Sequence, residues 1–208
     1  MTDSAPNAPA WLEALAPYAD RPGYRVPLKA PIHLLGGRIV GDVAGVSLRL
    51  PRWQGSAFVD DFGKKAAGMI DLDGEHLFAE LAVLRLLEKD GWSGRWVNTY
   101  SARGEVWKYL THWSDVPRTE QRSRPIEDAE PRQLLARIAS RSKGRYKGCW
   151  DLFAWRGDEF AFVQTKRSAS PEKEVVKPEQ AEWLHTALVF ADTELTLDSF
   201  AVVHWDYA

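Results

Sequence analysis

The stretch CWDLFAWRGDEFAFVQTK, residues 149–166, contains two runs of apolar and aromatic residues with a short polar break between them. The runs cover residues 149–155 and 159–166, and both are rich in the aromatic residues that strands favour. Gly157 and Asp158 lie in the break, and a Gly-Asp pair between two such runs is typical of a hairpin turn. The sequence therefore predicts two neighbouring antiparallel strands.

The register of this predicted hairpin gathers polar side chains at its open end. With a two-residue turn, Asp151 lies directly opposite Gln164, at a Cβ separation of about 5 Å. Lys166 is two residues further along its strand and points to the same side. Phe153 and Phe162 continue that face toward the turn, so an acid, an amide and an amine cluster at the end of an apolar surface. An ordinary surface salt bridge between Asp151 and Lys166 is the alternative interpretation.

A helix is predicted upstream over residues 76–90 (HLFAELAVLRLLEKD), which lack Gly and Pro and are rich in Leu and Ala. Asp73 is the predicted N-cap and Gly91 the predicted stop. At about 100° per residue, Glu80 shares a face with Leu84, so a carboxylate projects from the apolar side of the helix. A buried charge needs a compensating partner. Alternatively, Glu80 lies at the edge of the apolar stripe and reaches solvent.

Further elements are predicted around the hairpin. Strands are expected at residues 95–100 and 199–207, and helices near residues 132–142 and from Pro178 onward. The element order is helix, three strands, helix, strand, which is an α/β arrangement. A long connection, residues 101–147, separates the first of these strands from the hairpin.

The first part of the chain has a different character. Residues 1–74 are rich in Pro and Gly and contain short alternating apolar runs, which predict strands joined by turns such as Gly36-Gly37. We interpret them as a β-rich N-terminal arm or lobe with no assigned function. Residues 75–208 form the predicted second unit, with residues 101–147 as an insertion.

The polar cluster has the composition of a divalent-cation site. Mg²⁺ takes oxygen ligands, usually one or two protein carboxylates completed by water and substrate phosphate. Asp151 and Glu80 can supply the charge, and the side-chain oxygen of Gln164 can add a neutral ligand. A cation held there polarises a phosphoryl oxygen and makes bound water more acidic. Lys166 can orient that water or neutralise charge that builds up on the phosphate.

These residues resemble the pattern of the PD-(D/E)XK nuclease superfamily, in which an acid on one strand precedes (D/E/Q)-x-K on the next and a Glu lies on an earlier helix. Here the pattern is Asp151, Gln164-Thr165-Lys166 and Glu80. Two positions depart from it. Trp150 stands where the family often has Pro, and Gln164 replaces the commoner acid and removes one negative charge. Mrr-like members are similar in using Gln.

Two further segments resemble particular branches of that superfamily. The distance from Glu80 to Gly91-Trp92 is similar to that in archaeal Holliday-junction resolvases and Mrr-type nucleases. The segment KPEQAEW, residues 177–183, resembles the helix that follows the site in resolvases and in the virus-type replication-repair nuclease (VRR-NUC) domain. In that group a Gln near the helix start faces the active site, so the resemblance implies Gln180 as a further catalytic residue.

The resemblance implies a fold and a function. The expected fold is α/β, a restriction-endonuclease-like αβββαβ core whose mixed sheet is flanked by helices, with the β-rich arm added. The expected activity is Mg²⁺- or Mn²⁺-dependent endonuclease cleavage of DNA, and whether the substrate is duplex, branched or single-stranded stays open. The alternative is a catalytically inactive member that kept the fold as a binding or scaffold protein.

Charge is balanced overall but locally basic. A net charge of −2 and a pI of about 6.2 argue against a polycation that coats nucleic acid. The long connection nevertheless ends in a basic run, which is either a DNA-contacting surface or a solvated helix face. The connection as a whole could instead serve dimerisation, which would make the protein a homodimer. The candidate DNA contacts are Arg137, Arg141, Lys143, Arg145 and Lys147.

Location is predicted from the apolar runs and the cysteine count. No apolar run approaches the ~18 residues that span a bilayer, and the polar start of the chain lacks the features of a signal peptide. Cys149 is the single cysteine and cannot form an internal disulfide. These features predict a cytoplasmic protein without a membrane partner. The histidines are scattered and show no spacing typical of zinc ligands.

Overall fold

A computed structural model describes residues 8–62, 68–99, 105–142, 145–169, 171–190 and 195–208. The strands are β1 (Ala19–His33), β2 (Ile39–Leu50), β3 (Met69–Leu72), β4 (Glu75–Phe78), β5 (Ser93–Asn98), β6 (Lys108–Leu110), β7 (Leu152–Arg156), β8 (Glu159–Arg167) and β9 (Phe200–Tyr207). The α-helices are α1 (Ala79–Lys89), α2 (Ala129–Arg141) and α3 (Pro178–Phe190). A 3₁₀ helix, Ala10–Tyr18, precedes β1.

Seven of the strands form one mixed sheet in the order β1-β2-β9-β8-β7-β5-β6. Neighbouring strands are antiparallel except at β9, which runs parallel to both β8 and β2. β3 and β4 form a separate hairpin. The chain is therefore an α/β protein with a mixed sheet flanked by helices, as the sequence predicted. Strands β1 and β2, from the predicted N-terminal arm, extend this same sheet.

Alternation along the strands gives the sheet two buried faces. In β8, Phe160 and Phe162 pack with residues of α2 and α3 on one face, which we call the α3 face. Ala161 and Val163 pack with α1 and the N-terminal 3₁₀ helix on the other, the α1 face. A strand covered on both sides reads as a continuous apolar run, which is what the sequence of β8 shows.

The predicted hairpin is confirmed with its register. Gly157 and Asp158 form the turn between β7 and β8, and Arg156 pairs with Glu159. Gly157 has a φ of +56°, a left-handed conformation that glycine adopts without steric cost. At the other end Leu152 pairs with Val163, so the next residue out on each strand belongs to the predicted polar cluster.

The start of the first helix was predicted wrongly. Residues 75–78 form β4, and α1 begins at Ala79 with Phe78 as its N-cap residue. Asp73, the predicted N-cap, instead lies in the tight turn before β4 with a φ of +55°. Pairing of β4 with β3 buries Leu77 and Phe78, and this tertiary gain outweighs the helix propensity of the segment.

The other two helices agree with the sequence. α2 overlaps the predicted helix near residues 132–142, and α3 begins at Pro178 as predicted. Pro suits the first helical position because its missing N–H would have no partner within the helix. Within the described residues, no helix is long and apolar enough to cross a membrane.

Candidate active site

Three neighbouring strands bring their polar ends to the same edge of the sheet. Trp96 pairs with Leu152, and Leu152 pairs with Val163, so the last residues of β5 and β8 lie beside the residues that precede β7. Asp151 immediately precedes β7, and its side chain lies at this edge of the sheet. The backbone carbonyl of Asp151 accepts from Val97 N at 2.8 Å, which fixes the position of its Cα.

The side chain of Asp151 is held by the Gln164-Thr165-Lys166 segment. Its Oδ2 accepts from the backbone N–H of Thr165 at 3.0 Å and from the Thr165 hydroxyl at 3.0 Å. The side-chain Nε2 of Gln164 donates to the same oxygen. Hydrogen bonds to a carboxylate are stronger than neutral ones, so these donors stabilise one orientation of the acid. The predicted meeting of Asp151 and Gln164 is therefore present.

Gln180 joins this cluster from the first turn of α3. Its Nε2 donates to Oε1 of Gln164, and its Oε1 accepts from the backbone N–H of Lys177 at 3.3 Å. Trp150, fully buried on the α3 face, donates from Nε1 to the backbone carbonyl of Gln180 at 3.2 Å. The residue next to Asp151 thus anchors the helix turn that carries Gln180.

A glycine allows this close packing of the helix start against the chain. Gly148 has a φ of +87°, and a Cβ at that position would lie 2.1 Å from the carbonyl oxygen of Glu179. Any side chain there would force the first turn of α3 away from the strand ends. Cys149, which follows, is buried and free and packs as a small apolar residue.

Lys166 lies beside the cluster but turns toward the loop before α3. Its Nζ donates to the carbonyl of Val175 at 2.5 Å and lies 3.5 Å from Oε2 of Glu174. Burial lowers the pKa of Lys166 below its usual value, and the nearby Glu174 carboxylate opposes that shift. Asp151 also attracts the ammonium and the Lys177 ammonium repels it, so Lys166 lies within electrostatic range of the acid.

Glu80 approaches the same end of the sheet from the other face. It lies half-buried in the first turn of α1, the helix that covers the α1 face. The start of this helix is at the site end, because the Phe78 ring lies 5.8 Å from the Trp96 ring. Its other end is at the hairpin turn, where Arg156 bonds the Asp90 carboxylate at 2.9 Å.

Hydrogen bonds therefore join three of the five predicted site residues, and the other two, Lys166 and Glu80, share their end of the sheet. Asp151, Gln164 and Gln180 are linked by hydrogen bonds, with Lys166 beside them, whereas Glu80 belongs to a helix on the opposite face. Among the described residues, no group of three or more His, Cys, Asp or Glu side chains is placed to hold a metal ion. A cation at this end would thus depend on amide, water or substrate oxygens as well as carboxylates.

Sequence reasoning missed a buried histidine next to Lys166 and its half-buried tyrosine partner. His204 in β9 pairs in register with Lys166, is fully buried, and shares a hydrogen bond between its Nδ1 and the hydroxyl of Tyr24 in β1. The two rings stack with centroids 5.7 Å apart. The available signal was alternation, because His204 continues the face of Val202 just as Gln164 continues the face of Phe162.

Most of the predicted basic surface falls within the described residues. Arg141, Arg145 and Lys147 are exposed and line a pocket of about 280 Å³ where α2 ends and α3 begins. Glu179 and Glu182 line the same pocket, so its charge is mixed. Arg137 is half-buried on α2 and is less accessible than its neighbours. Lys143 lies outside the described residues.

Comparison with known proteins adds no relative. No family model matches the chain, and neither the curated proteins nor the solved structures yielded a match.

Proposed function

We propose that this protein is a metal-dependent endonuclease with a restriction-endonuclease-like core and that its substrate is DNA. The observation that carries the proposal is the contact between Asp151 and the Gln164-Thr165-Lys166 segment, with Gln180 bonded to the same amide. A surface salt bridge would not need this buried amide, since Gln164 is only 7% exposed. Polar groups gathered at the end of an apolar face need an explanation, and a functional site provides one.

The order of the elements around the site supports the same proposal. Apart from β6 and α2, which lie between β5 and β7, the helix α1 is followed by the antiparallel strands β5, β7 and β8, and then by α3 and the parallel strand β9. This is the αβββαβ order expected for a restriction-endonuclease-like core. Glu80, Lys166 and Gln180 lie on α1, β8 and α3, and Asp151 directly precedes β7, an arrangement that supports the proposal.

The donor chemistry fits a Mg²⁺ or Mn²⁺ ion. Asp151 and Glu80 each bring a carboxylate to this end of the sheet, and one or two carboxylates with water and phosphate are the usual protein share of a magnesium site. The ion, when bound, would polarise the phosphoryl oxygen and acidify a water molecule. The amide and hydroxyl donors on Asp151 would keep that carboxylate oriented.

Lys166 and the basic surface have distinct tasks in this proposal. The ammonium of Lys166 would turn from the Val175 carbonyl toward the scissile phosphate and neutralise charge in the transition state. Arg141, Arg145 and Lys147, with Lys143 and Arg137, would hold the phosphate backbone of the DNA. Phosphate contacts of this kind position a substrate without reading its sequence.

A nicking assay on supercoiled plasmid with Mg²⁺ tests the proposal. Asp151→Asn removes the charge but keeps the shape, and cleavage should fall by roughly 100-fold or more. Asp158→Asn, in the exposed turn of the same hairpin, makes the same charge change and should leave cleavage unaffected. Equal cleavage by the wild type and Asp151→Asn would show that the site is misassigned. Branched and single-stranded DNA belong in the same assay, and no cleavage of any substrate would contradict the function.

A second candidate is a binding or scaffold protein that has the same core without catalysis. Two observations favour it: Lys166 is engaged by Val175 and Glu174, and Gln164 replaces the acid that would strengthen a metal site. Calorimetric titration with Mg²⁺ or Mn²⁺ separates the two candidates. A nuclease should bind the ion and lose that binding in Asp151→Asn, whereas a scaffold should show no heat of metal binding.

A further inference from the structure

A chain of hydrogen bonds runs from the start of α3 to the carboxylate of Asp151. The backbone N–H of Lys177 donates to Oε1 of Gln180, whose Nε2 donates to Oε1 of Gln164, whose Nε2 donates to Oδ2 of Asp151. Two side-chain amides thus lie head to tail between a backbone N–H and a carboxylate. Both amides belong to the proposed active site.

The two ends of this chain determine its direction. A backbone N–H can only donate, and an ionised carboxylate can only accept. If Gln164 turned its oxygen toward Asp151, its nitrogen would face the nitrogen of Gln180. Gln180 would then have to turn as well and would oppose its own nitrogen to the N–H of Lys177. A single direction therefore satisfies every link.

The surroundings of Gln164 strengthen this assignment. Its Nε2 also lies 3.4 Å from the carbonyl of Thr165, which is another acceptor. A side-chain amide buried to this extent needs its donors and acceptors satisfied, because an unpaired one costs about 1–3 kcal/mol. The nitrogen of Gln164 therefore faces two acceptors, the Asp151 carboxylate and the Thr165 carbonyl, and its oxygen accepts from Gln180.

We infer that Gln164 is a hydrogen-bond donor that positions Asp151, and that it is not a ligand of the metal. The side-chain oxygen of Gln164, which the sequence suggested as a ligand, points to Gln180 and away from the acid. Gln180 is the residue that sets this direction, because Lys177 at the start of α3 fixes Gln180 in turn. The direction of the chain rests on these hydrogen bonds, and its consequence for metal binding rests on the proposed function.

Side-chain amide NMR on the full-length protein tests the direction without any activity. The Gln164 and Gln180 signals are assigned from their loss in Gln164→Met and Gln180→Met. In the metal-free protein the Gln164 amide protons should exchange slowly. Gln180→Glu, which keeps the shape but replaces the donor with an acceptor, should speed that exchange about tenfold, the effect of losing one hydrogen bond. Gln133→Glu, on the exposed side of α2, is the control with the same charge change.

Titration with Mg²⁺ then separates a donor from a ligand. Gln164 amide signals that keep their protection in saturating Mg²⁺ support the donor role. Loss of protection with a large shift would overturn it, because the amide must turn to present its oxygen to the ion. Fast exchange in the metal-free wild type, or no effect of Gln180→Glu, would also overturn it. Absence of any Mg²⁺ uptake by calorimetry would count against the nuclease, while the metal-free exchange rates still decide the direction of the chain.

Discussion

Both ends of the β7–β8 hairpin carry polar or charged side chains, but these are exposed at the turn and largely buried at the open end. At the turn, Arg156 lies 3.0 Å from Glu159 and 2.9 Å from Asp90, and these side chains are 41% to 62% exposed. At the open end, Gln164 is 7% exposed and hydrogen-bonded on both sides. Exposed ion pairs contribute little to stability, whereas a buried polar group is costly to leave without its partner. The fold therefore fixes the geometry of the open end far more firmly than that of the turn.

The proposed function would account for this difference. A site that binds a phosphate or an ion works through groups held in place before the ligand arrives, and each group is held by its own hydrogen bonds. Asp151 accepts hydrogen bonds from Gln164 and Thr165, and Gln164 is held by Gln180 on the next helix. Arg156 is held by exposed carboxylates and by stacking on Trp92, and it ties the turn to the end of α1.

The largest expected effect comes from the glycine near the open end of the hairpin, compared with the glycine in its turn. Gly148→Ala should lower the free energy of unfolding by about 3 kcal/mol or more, because a left-handed conformation and an overlap with the Glu179 carbonyl add together. Gly157→Ala also adds a methyl group at positive φ, but its Cβ would meet nothing within 4 Å. Its cost should be about 1 kcal/mol. Urea unfolding measures both, and equal losses would show that Gly148 is not constrained by α3.

The sequence predicts the hairpin and its polar end well because both depend on neighbours in the chain. A two-residue turn and strict alternation determine which residues face one another, so Asp151 and Gln164 could be paired from the sequence. Pro178 marks the helix start in the same local way. The prediction for the segment before Ala79 was wrong because residues 75–78 suit either a helix or a strand, and the pairing with β3 decides between them.

Long-range pairings could not be predicted. The parallel contact of β2 with β9 brings Ser47 beside His204, and no local pattern encodes that register. The Tyr24–His204 bond depends on it, since β2 lies between β1 and β9 in the sheet. The direction of Lys166 likewise depends on the loop that carries Glu174 and Val175, whose position is set by its bridge to β1.

A smaller effect is expected from the amide at the buried end. Gln164→Leu keeps the volume but leaves Gln180 without its acceptor and Asp151 without one donor. The free energy of unfolding should fall by about 2 kcal/mol, the usual cost of an unsatisfied buried group. Gln133→Leu, an identical exchange on an exposed part of α2, should change it by less than about 0.5 kcal/mol. Chemical denaturation of both variants measures the difference, and similar values would mean that burial does not distinguish the two positions.

The turn end should give a smaller loss that depends on salt. Arg156→Ala removes exposed contacts with Asp90 and Glu159 and the stacking of the guanidinium on Trp92, 4.9 Å from the ring centroid. The expected loss of stability is about 0.5–1 kcal/mol, and it should shrink at high salt because exposed charges are screened. Unfolding at low and high salt measures this. A loss above about 2 kcal/mol that salt leaves unchanged would contradict the contrast between the two ends.

The last and smallest effect concerns the pH dependence of stability at the open end. Burial holds the pKa of Lys166 below 10.5, so the folded protein binds this proton less tightly than the unfolded chain does. The penalty for the buried ammonium is present in full below the lowered pKa and is relieved as the pH rises toward 10.5. The wild type should therefore gain stability relative to Lys166→Met as the pH rises toward 10.5. Lys147→Met, at an exposed position, is the control with the same change of side chain. A wild type that instead lost stability relative to Lys166→Met as the pH rises would show that Glu174 and the Val175 carbonyl stabilise the ammonium more than burial destabilises it. Lys166 would then be fixed at the loop, which would count against its proposed role at the phosphate.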